Sequence, residues 1–320
     1  MIKALGLFSG GLDSILAAKL VQKQGIKVLL VNYTTPFFSS KKAIEMAKQI
    51  KLSLKEFDIT KDYIKMLRKP KHGYGSALNP CIDCKIFMLK KAKKYAKEIG
   101  ASFIFTGEVL GERPMSQNKN ALELIEKEAG LKGKLLRPLS AKLLKTEKWI
   151  NRDNLLDIEG RRRDRQIELA KKFRIKNYPT PAGGCLLTNK EYASKVRDLL
   201  RHNKRIAKND IILLKIGRHF RFKNNKIIVG RNEKENKELL SLKSNSDYIF
   251  EVPNIGSPIT LLQGPKTRTA ISTAASLTVH YSDSEGKALV NYGKKNLSKA
   301  FVASDIKDNE IKKLRIIFSS

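Results

Sequence analysis

The chain has 320 residues, 41% hydrophobic and 30% charged, and its 64 Lys and Arg against 31 Asp and Glu give a formal net charge of +33. That length allows two domains with a core each, and the composition is that of a soluble globular protein. It excludes a membrane-spanning protein, since no apolar run approaches the ~18 residues a bilayer requires; with no charged-then-apolar leader at the start, a cytoplasmic location is expected.

Residues 2–8 form a short apolar run closed by a glycine pair, the pattern of a buried strand. From Leu12 onward, Leu12, Leu16 and Leu20 recur every four residues with Ala17 and Val21 beside them, until Gly25 ends a predicted helix. A strand at 27–35 follows, then a helix from about Lys41 with Ile44, Ala47 and Ile50 on one face, and a strand at 54–59. A long helix is predicted from Cys84 to Ile99, with strands at 101–109 and 134–139. Strands alternating with helices predict an α/β fold with a doubly wound parallel sheet. Ligands bind such sheets beyond the C-terminal strand ends, where residues 9–14, Asn32–Tyr33 and Thr106–Gly107 all fall. Two helices are expected at 146–156 and 160–174. From about residue 190 the texture changes to a basic helix, the strand-like runs DIILLKIG, KIIVGR, DYIFEV and ITLLQG, a small-residue helix AISTAASLTVHYS and a final strand ALVNYG. The expected organisation is therefore a first domain over 1–188 and a second, smaller α+β domain over 189–320.

Between the first strand and the first helix stands SGGLDS, residues 9–14. Such a turn aims backbone N–H groups and the positive end of a helix dipole at one point, and glycines let an anion approach the backbone closely. The plainer reading is a tight turn in which Asp13 or Ser14 caps the helix. No lysine lies between Lys3 and Lys19, so this is not the GxxxxGK[ST] loop of γ-phosphate transfer. The hexamer resembles the SGGxDS signature of the PP-loop ATP pyrophosphatases, adenine nucleotide α-hydrolase-like enzymes that leave AMP on an oxygen of the substrate. The resemblance implies ATP and Mg2+ as cofactors. By it, the nucleotide meets Phe8, Ser9, Gly10, Gly11, Leu12, Asp13 and Ser14, with Asn32, Tyr33 and Gly107, and Asp13 positions magnesium.

Three cysteines occur, Cys81 and Cys84 in NPCIDCK and Cys185 in PAGGCLL. An odd count in a cytosolic chain is not a disulfide scaffold. Four readings stand open. The first pair are small core residues; or the cysteines hold zinc with one of His72, His202, His219 and His280 or a carboxylate; or two thiols relay a persulfide; or three thiolates hold an iron–sulfur cluster with one iron left open. The layout resembles PP-loop enzymes that thiolate tRNA, and TGEVLGERPMSQ, LRPLSAKLL and GRRRDRQIELA are similar to the thiouridylase-related members. That resemblance implies a [4Fe–4S] cluster on Cys81, Cys84 and Cys185, with zinc the lesser alternative. It also implies Cys84 and Cys185 as catalytic thiols, and Arg113, Gln117, Arg161 and Arg162 as substrate contacts.

The basic clusters GRRRDR and RHNKRIAKNDIILLKIGRHFRFKNNK suit a polyanionic partner, against the plainer reading of solvated surface. Residues 217–293 resemble the RNA-binding domain of NFACT proteins, departing from that family's histidines at Glu251 and Pro258. Together the resemblances imply tRNA as partner and ATP-dependent replacement of a uridine oxygen by sulfur. Neither a THUMP-type nor a rhodanese-like segment is recognisable in these residues, so a separate sulfur donor is expected, inorganic sulfide or the product of a cysteine desulfurase. The competing readings are a thiolase working by persulfide without iron, an amide-forming PP-loop ligase, and a non-catalytic tRNA- or ribosome-binding protein.

Overall fold

The structure, a computed structural model, describes residues 2–144, 150–179 and 185–317. The chain divides into two compact units, Met1–Thr188 and Asn189–Ser320.

In the first unit β1 (Lys3–Leu7), α1 (Leu12–Gln22), β2 (Lys27–Thr34), α2 (Lys41–Gln49) and β3 (Leu54–Asp58) wind outward to one edge. After α3 (Thr60–Arg68) and α4 (Cys81–Glu98) the chain returns to lay β4 (Phe103–Thr106) on the other side of β1. Then come α5 (Lys119–Ala129), β5 (Leu135–Leu136) and α6 (Asp164–Lys172). The strand order is β3-β2-β1-β4-β5, parallel throughout. It reverses between β1 and β4, and that reversal opens a crevice at their C-terminal ends. A central parallel strand is covered on both faces and reads as continuous apolar sequence. Ala4 and Leu5 are fully buried accordingly, as are Ile15, Leu16 and Ala17 of the covering helix α1.

The second unit comprises α7 (Lys190–His202), α8 (Lys208–Leu213), β6 (Arg218–Phe222), β7 (Asn225–Val229), α9 (Glu233–Leu242), β8 (Tyr248–Glu251), β9 (Thr260–Gln263), α10 (Arg268–His280), β10 (Lys287–Gly293), β11 (Lys299–Ser304) and α11 (Asp308–Leu314). Its sheet is antiparallel in the order β11-β10-β8-β9-β7-β6. Ala270, Ala274 and Ala275 let α10 sit close against one face, over Phe220, Phe250 and Leu262. On the other face Ile228, Ile249 and Leu261 meet Leu213 and Leu239 of α8 and α9. No helix among the described residues is long and apolar enough to cross a membrane.

Several elements differ from expectation. The first half of DIILLKIG is helical and the rest is turn where a strand was expected, because Asp210 accepts a hydrogen bond from the Ala207 amide at 2.8 Å and supports a helix that starts at Lys208. The expected helix at 146–156 falls partly on residues 145–149, outside the described ones, and the remainder is one 3-10 turn at Arg152–Asn154. The helix expected from 160 starts at Asp164, since Gly160 adopts φ +82°, a left-handed conformation outside any helix. ALVNYG is not the last strand; β11 pairs with it.

Candidate active site

The loop between β1 and α1 is held from three sides. Gly10 has φ +76°, and a Cβ there would lie 2.6 Å from the backbone of Lys42, so the start of α2 packs directly on it. A Cβ on Gly107, just past β4, would lie 2.4 Å from the amide nitrogen of Ser14. From β2, Asn32 donates from Nδ2 to the Phe8 carbonyl at 2.7 Å. Inside the loop, Ser14 Oγ donates to the Gly11 carbonyl at 2.8 Å, which occupies its hydroxyl internally. No side chain caps α1. The unpaired amides of its first turn therefore face the crevice, the arrangement that receives an anion.

This loop is one wall of a cavity of ≈490 Å³, within the range of small-ligand sites. Asp13 lines it with only 16% of its side chain exposed, 3.4 Å from Arg163 Nη2. Burial pushes the Asp13 carboxyl up, and Arg163 and Arg113 pull against that rise. Arg163 comes from the start of α6, tied to the segment after β4 by the Leu110–Glu159 bridge and by the Gly160 amide donating to the Leu110 carbonyl at 2.7 Å. Glu112, on that same segment, also lines the cavity, and burial together with the Asp13 charge raises its carboxyl. Glu108 is 2% exposed and accepts from Thr106 Oγ1 at 3.0 Å and from Arg137 Nε at 3.2 Å, while Lys85 Nζ lies 3.3 Å away. Burial would raise its carboxyl, but Lys85 and Arg137 outweigh burial and hold it ionised. Asp13 Oδ1, Asn32 Oδ1, the Tyr33 hydroxyl, Gln117 Oε1 and Arg163 Nε are all buried without a hydrogen-bond partner. Buried polar atoms are rarely left so, and such a concentration around one cavity marks a site shaped for a polar ligand.

The thiols line the same cavity. Cys81 opens α4 and Cys84 follows one turn later, while Cys185 precedes the short 3-10 helix Leu186–Thr188. The Leu78 amide donates to the Leu187 carbonyl at 3.1 Å, stitching the Cys185 segment to the approach to Cys81. Asn79 Nδ2 lies 3.1 Å from Cys81 Sγ. All three thiols are free and line the cavity. Burial pushes the Cys84 thiol up to about 12, against the opposing pull of the Tyr63 hydroxyl and Lys85, and burial raises Cys185 as well. Among the described residues, no three His, Cys, Asp and Glu side chains converge as ligands of a single metal ion.

Of the residues singled out from sequence, Phe8, Ser9, Gly11, Leu12, Asp13, Ser14, Asn32, Tyr33, Gly107, Arg113, Gln117 and the three cysteines line this one cavity. Gly10 lies behind it, under α2. Arg161 and Arg162 do not line it: both are exposed, and the third arginine of that run, Arg163, turns inward instead. Tyr63, Lys85, Glu108 and Glu112 were not foreseen. For Lys85 the signal was adjacency to Cys84; for Glu108 it was a carboxylate directly after the Thr106–Gly107 strand end.

A doubly wound parallel sheet whose first strand–helix junction carries SGGLDS, uncapped and facing a polar cavity, defines a PP-loop nucleotide-binding domain. Residues 2–150 match the family model described as thiamine biosynthesis protein (ThiI), and residues 217–315 match that of the NFACT protein RNA binding domain. The chain joins a PP-loop domain of the ThiI type to an NFACT-type RNA-binding domain. Curated relatives named "probable tRNA sulfurtransferase" include one from Ureaplasma urealyticum, 34% identical over 134 residues (38% of this chain, 33% of the relative). Another is from Thermococcus kodakarensis, 32% identical over 120 residues (34% and 30%). The chain thus spans about a third of the length of the curated relatives it matches. Among solved structures, a 4-thiouridine synthetase–RNA complex with bound ATP is 24% identical with a TM-score of 0.37, covering 55% of this chain and 43% of that one.

Proposed function

We propose that this chain thiolates tRNA, using ATP to activate a uridine carbonyl oxygen and replacing that oxygen with sulfur. The observation that carries the reading is that the uncapped start of α1 and all three thiols line the same cavity. A uridine oxygen is a poor leaving group, so it first takes the adenylyl group of ATP. Pyrophosphate departs against the amides of residues 9–14, where fixed positive dipoles meet the charge as it forms, and Asp13, with a buried unpartnered oxygen, would hold the Mg2+ that neutralises it. Sulfur then bonds to the uridine carbon, and AMP leaves with the oxygen. The target base has to leave its stack to enter an enclosed site. Arg113 and Arg163 flank the reacting phosphates, and Glu108 keeps Lys85 aimed at the same space.

The donor set bears on how sulfur is carried. Ligands of one ion converge on a point, and a closed zinc site wants four of them. Cluster thiolates each bind a different iron, and a donor set of three free thiols lining one cavity suits that chemistry. When bound, such a cluster supplies an iron without a protein ligand as a Lewis acid for sulfide. The chain itself contributes the burial that excludes water and the thiols that fix the sulfur in the cavity the loop lines. The sulfur comes from inorganic sulfide or a cysteine desulfurase.

The test is anaerobic purification followed by metal analysis, absorption spectroscopy and an assay with tRNA, ATP and sulfide. Iron with matching acid-labile sulfide, and pyrophosphate release that depends on tRNA, are expected. Zinc alone, or a metal-free protein bearing cysteine persulfide, would replace the cluster reading; absence of tRNA-dependent pyrophosphate would leave a binding protein.

A further inference from the structure

The second unit carries a pocket of its own at the turn between β10 and β11, of ≈490 Å³, lined by Tyr248, Lys294, Lys295, Asn296, Ser298 and Lys299 among others. Its chemistry is one-sided. No carboxylate lines it, and Lys294, Lys295 and Lys299 pair with no acidic side chain among the described residues. Three like charges around one pocket favour an anion as its occupant. The turn itself is fixed, since Lys243 Nζ donates to the Lys294 carbonyl at 2.8 Å.

The floor is aromatic. The half-buried ring of Tyr248 lies 5.3 Å from the ammonium of Lys266 and 6.0 Å from that of Lys299. Tyr292 supports it at 5.8 Å between centroids and in turn stacks on the buried Phe250 at 5.3 Å. Lys266 is anchored by donating to the Leu262 and Gly264 carbonyls at 2.8 and 2.9 Å, which leaves Lys299 as the cation that can move aside. A simple anion needs the lysines and has no use for a braced ring. A nucleotide needs both: every base has a π face to stack, and its backbone brings phosphate.

We propose that this pocket binds one unpaired nucleotide of RNA, its base on Tyr248 and its flanking phosphates on Lys294, Lys295 and Lys299. The proposal rests on the RNA-binding reading of the second unit, whose family match at 217–315 includes the pocket. It adds which part of the partner is held. Stacking requires a base outside a helix, and tRNA presents those in its loops and at its end.

The test measures binding of labelled tRNA and of a fully paired RNA duplex to the full chain, over a range of salt. Tyr248→Ala is expected to weaken tRNA about tenfold, to leave the duplex unchanged, and to be rescued by Tyr248→Phe. Replacing Lys294 and Lys295 together by Glu is expected to weaken tRNA at least as much and to flatten the salt dependence by one to two phosphate contacts. Should Tyr248→Ala lower the melting temperature, the lysine pair on its exposed turn decides alone. Unchanged tRNA affinity in these variants, with wild type binding normally, overturns the pocket and leaves the RNA-binding reading intact. Wild type that binds no tRNA overturns the RNA reading itself.

Discussion

Asp13 is poorly placed as a structural residue. Burial raises its carboxyl above the usual carboxylate range despite two nearby arginines, and one of its oxygens has no partner. A carboxyl whose pKa is higher in the folded chain than in the unfolded one binds more protons when folded, so its contribution to stability falls as pH rises through the acid range. At neutral pH the ionised Asp13 is therefore a net cost to the fold. Asp13→Asn is expected to raise the melting temperature slightly at pH 7, an advantage that vanishes near pH 3, where Asp13 is protonated anyway. On the magnesium-holding role proposed for Asp13, the same variant should lose at least about a hundredfold in tRNA-dependent pyrophosphate release. Such an opposition of stability and activity is the mark of a functional group; a fall in melting temperature would instead assign Asp13 a packing role. Arg163, the partner of Asp13, is predicted to act on ATP: Arg163→Gln should raise KM for ATP about tenfold with a smaller change in kcat, as loss of a charge-assisted contact does.

At the scale of elements, the site exists because three of them close on one loop, and two glycines allow it. Gly107→Ala puts a methyl 2.4 Å from the Ser14 amide nitrogen, backbone that cannot swing away, so the start of α1 has to shift. Overpacking of this kind costs about 1–3 kcal/mol, and ATP affinity should fall with it. Gly25→Ala is the contrast: Gly25, unlike Gly107, has positive φ, but nothing lies within 4 Å of the added Cβ. It is expected to cost about 1 kcal/mol and to leave ATP binding unchanged, as calorimetric titration beside denaturant unfolding would check. The crevice was legible in sequence because the apolar runs that become β1, β2 and β4 end in SGG, Asn-Tyr and Thr-Gly, and topology brings those ends together. The thiols were legible as residues, but their sharing one cavity rests on long-range contacts such as the backbone hydrogen bond between Leu78 and Leu187, which no local pattern encodes. Arg163 was missed for a related reason. Arg161, Arg162 and Arg163 stand in an unbroken run and are chemically equivalent, and the left-handed turn at Gly160 and the bridge to Leu110 set which one faces inward. In the second unit, DIILLKIG read as a strand because its apolar run is nearly continuous, whereas its first half joins a short helix whose start is supported by the Asp210 carboxylate.

Across the whole chain, charge and architecture divide the response to solution conditions between the two units. His219 is fully buried in β6, with Nε2 2.8 Å from the Ile216 carbonyl and Nδ1 without a partner, and burial holds it neutral far below its ordinary pKa. Lys226, on the neighbouring β7, is pushed down to about 7 by burial. Both shifts act in one direction. Below about pH 6.5 the unfolded chain takes up a proton on histidine that the folded unit refuses, so stability falls with acid. Between about 7 and 10.5 the unfolded chain keeps the lysine proton that the folded unit has given up, so stability rises with pH and levels off above that window. The swing from Lys226 is on the order of a few kcal/mol. Because these groups belong to Asn189–Ser320, the unfolding transition of that unit should move upward between pH 7 and 10, tracked by hydrogen exchange of the β7 amides in the full chain. Lys226→Met, of similar length and without the charge, is expected to be more stable than wild type at pH 7 and to flatten the rise. A rise that persists in Lys226→Met would show that the alkaline stabilisation comes instead from relief of repulsion within the +33 surface. Salt separates those causes independently, since it screens exposed charges and leaves a desolvated lysine untouched: the slope in wild type should survive 0.5 M salt.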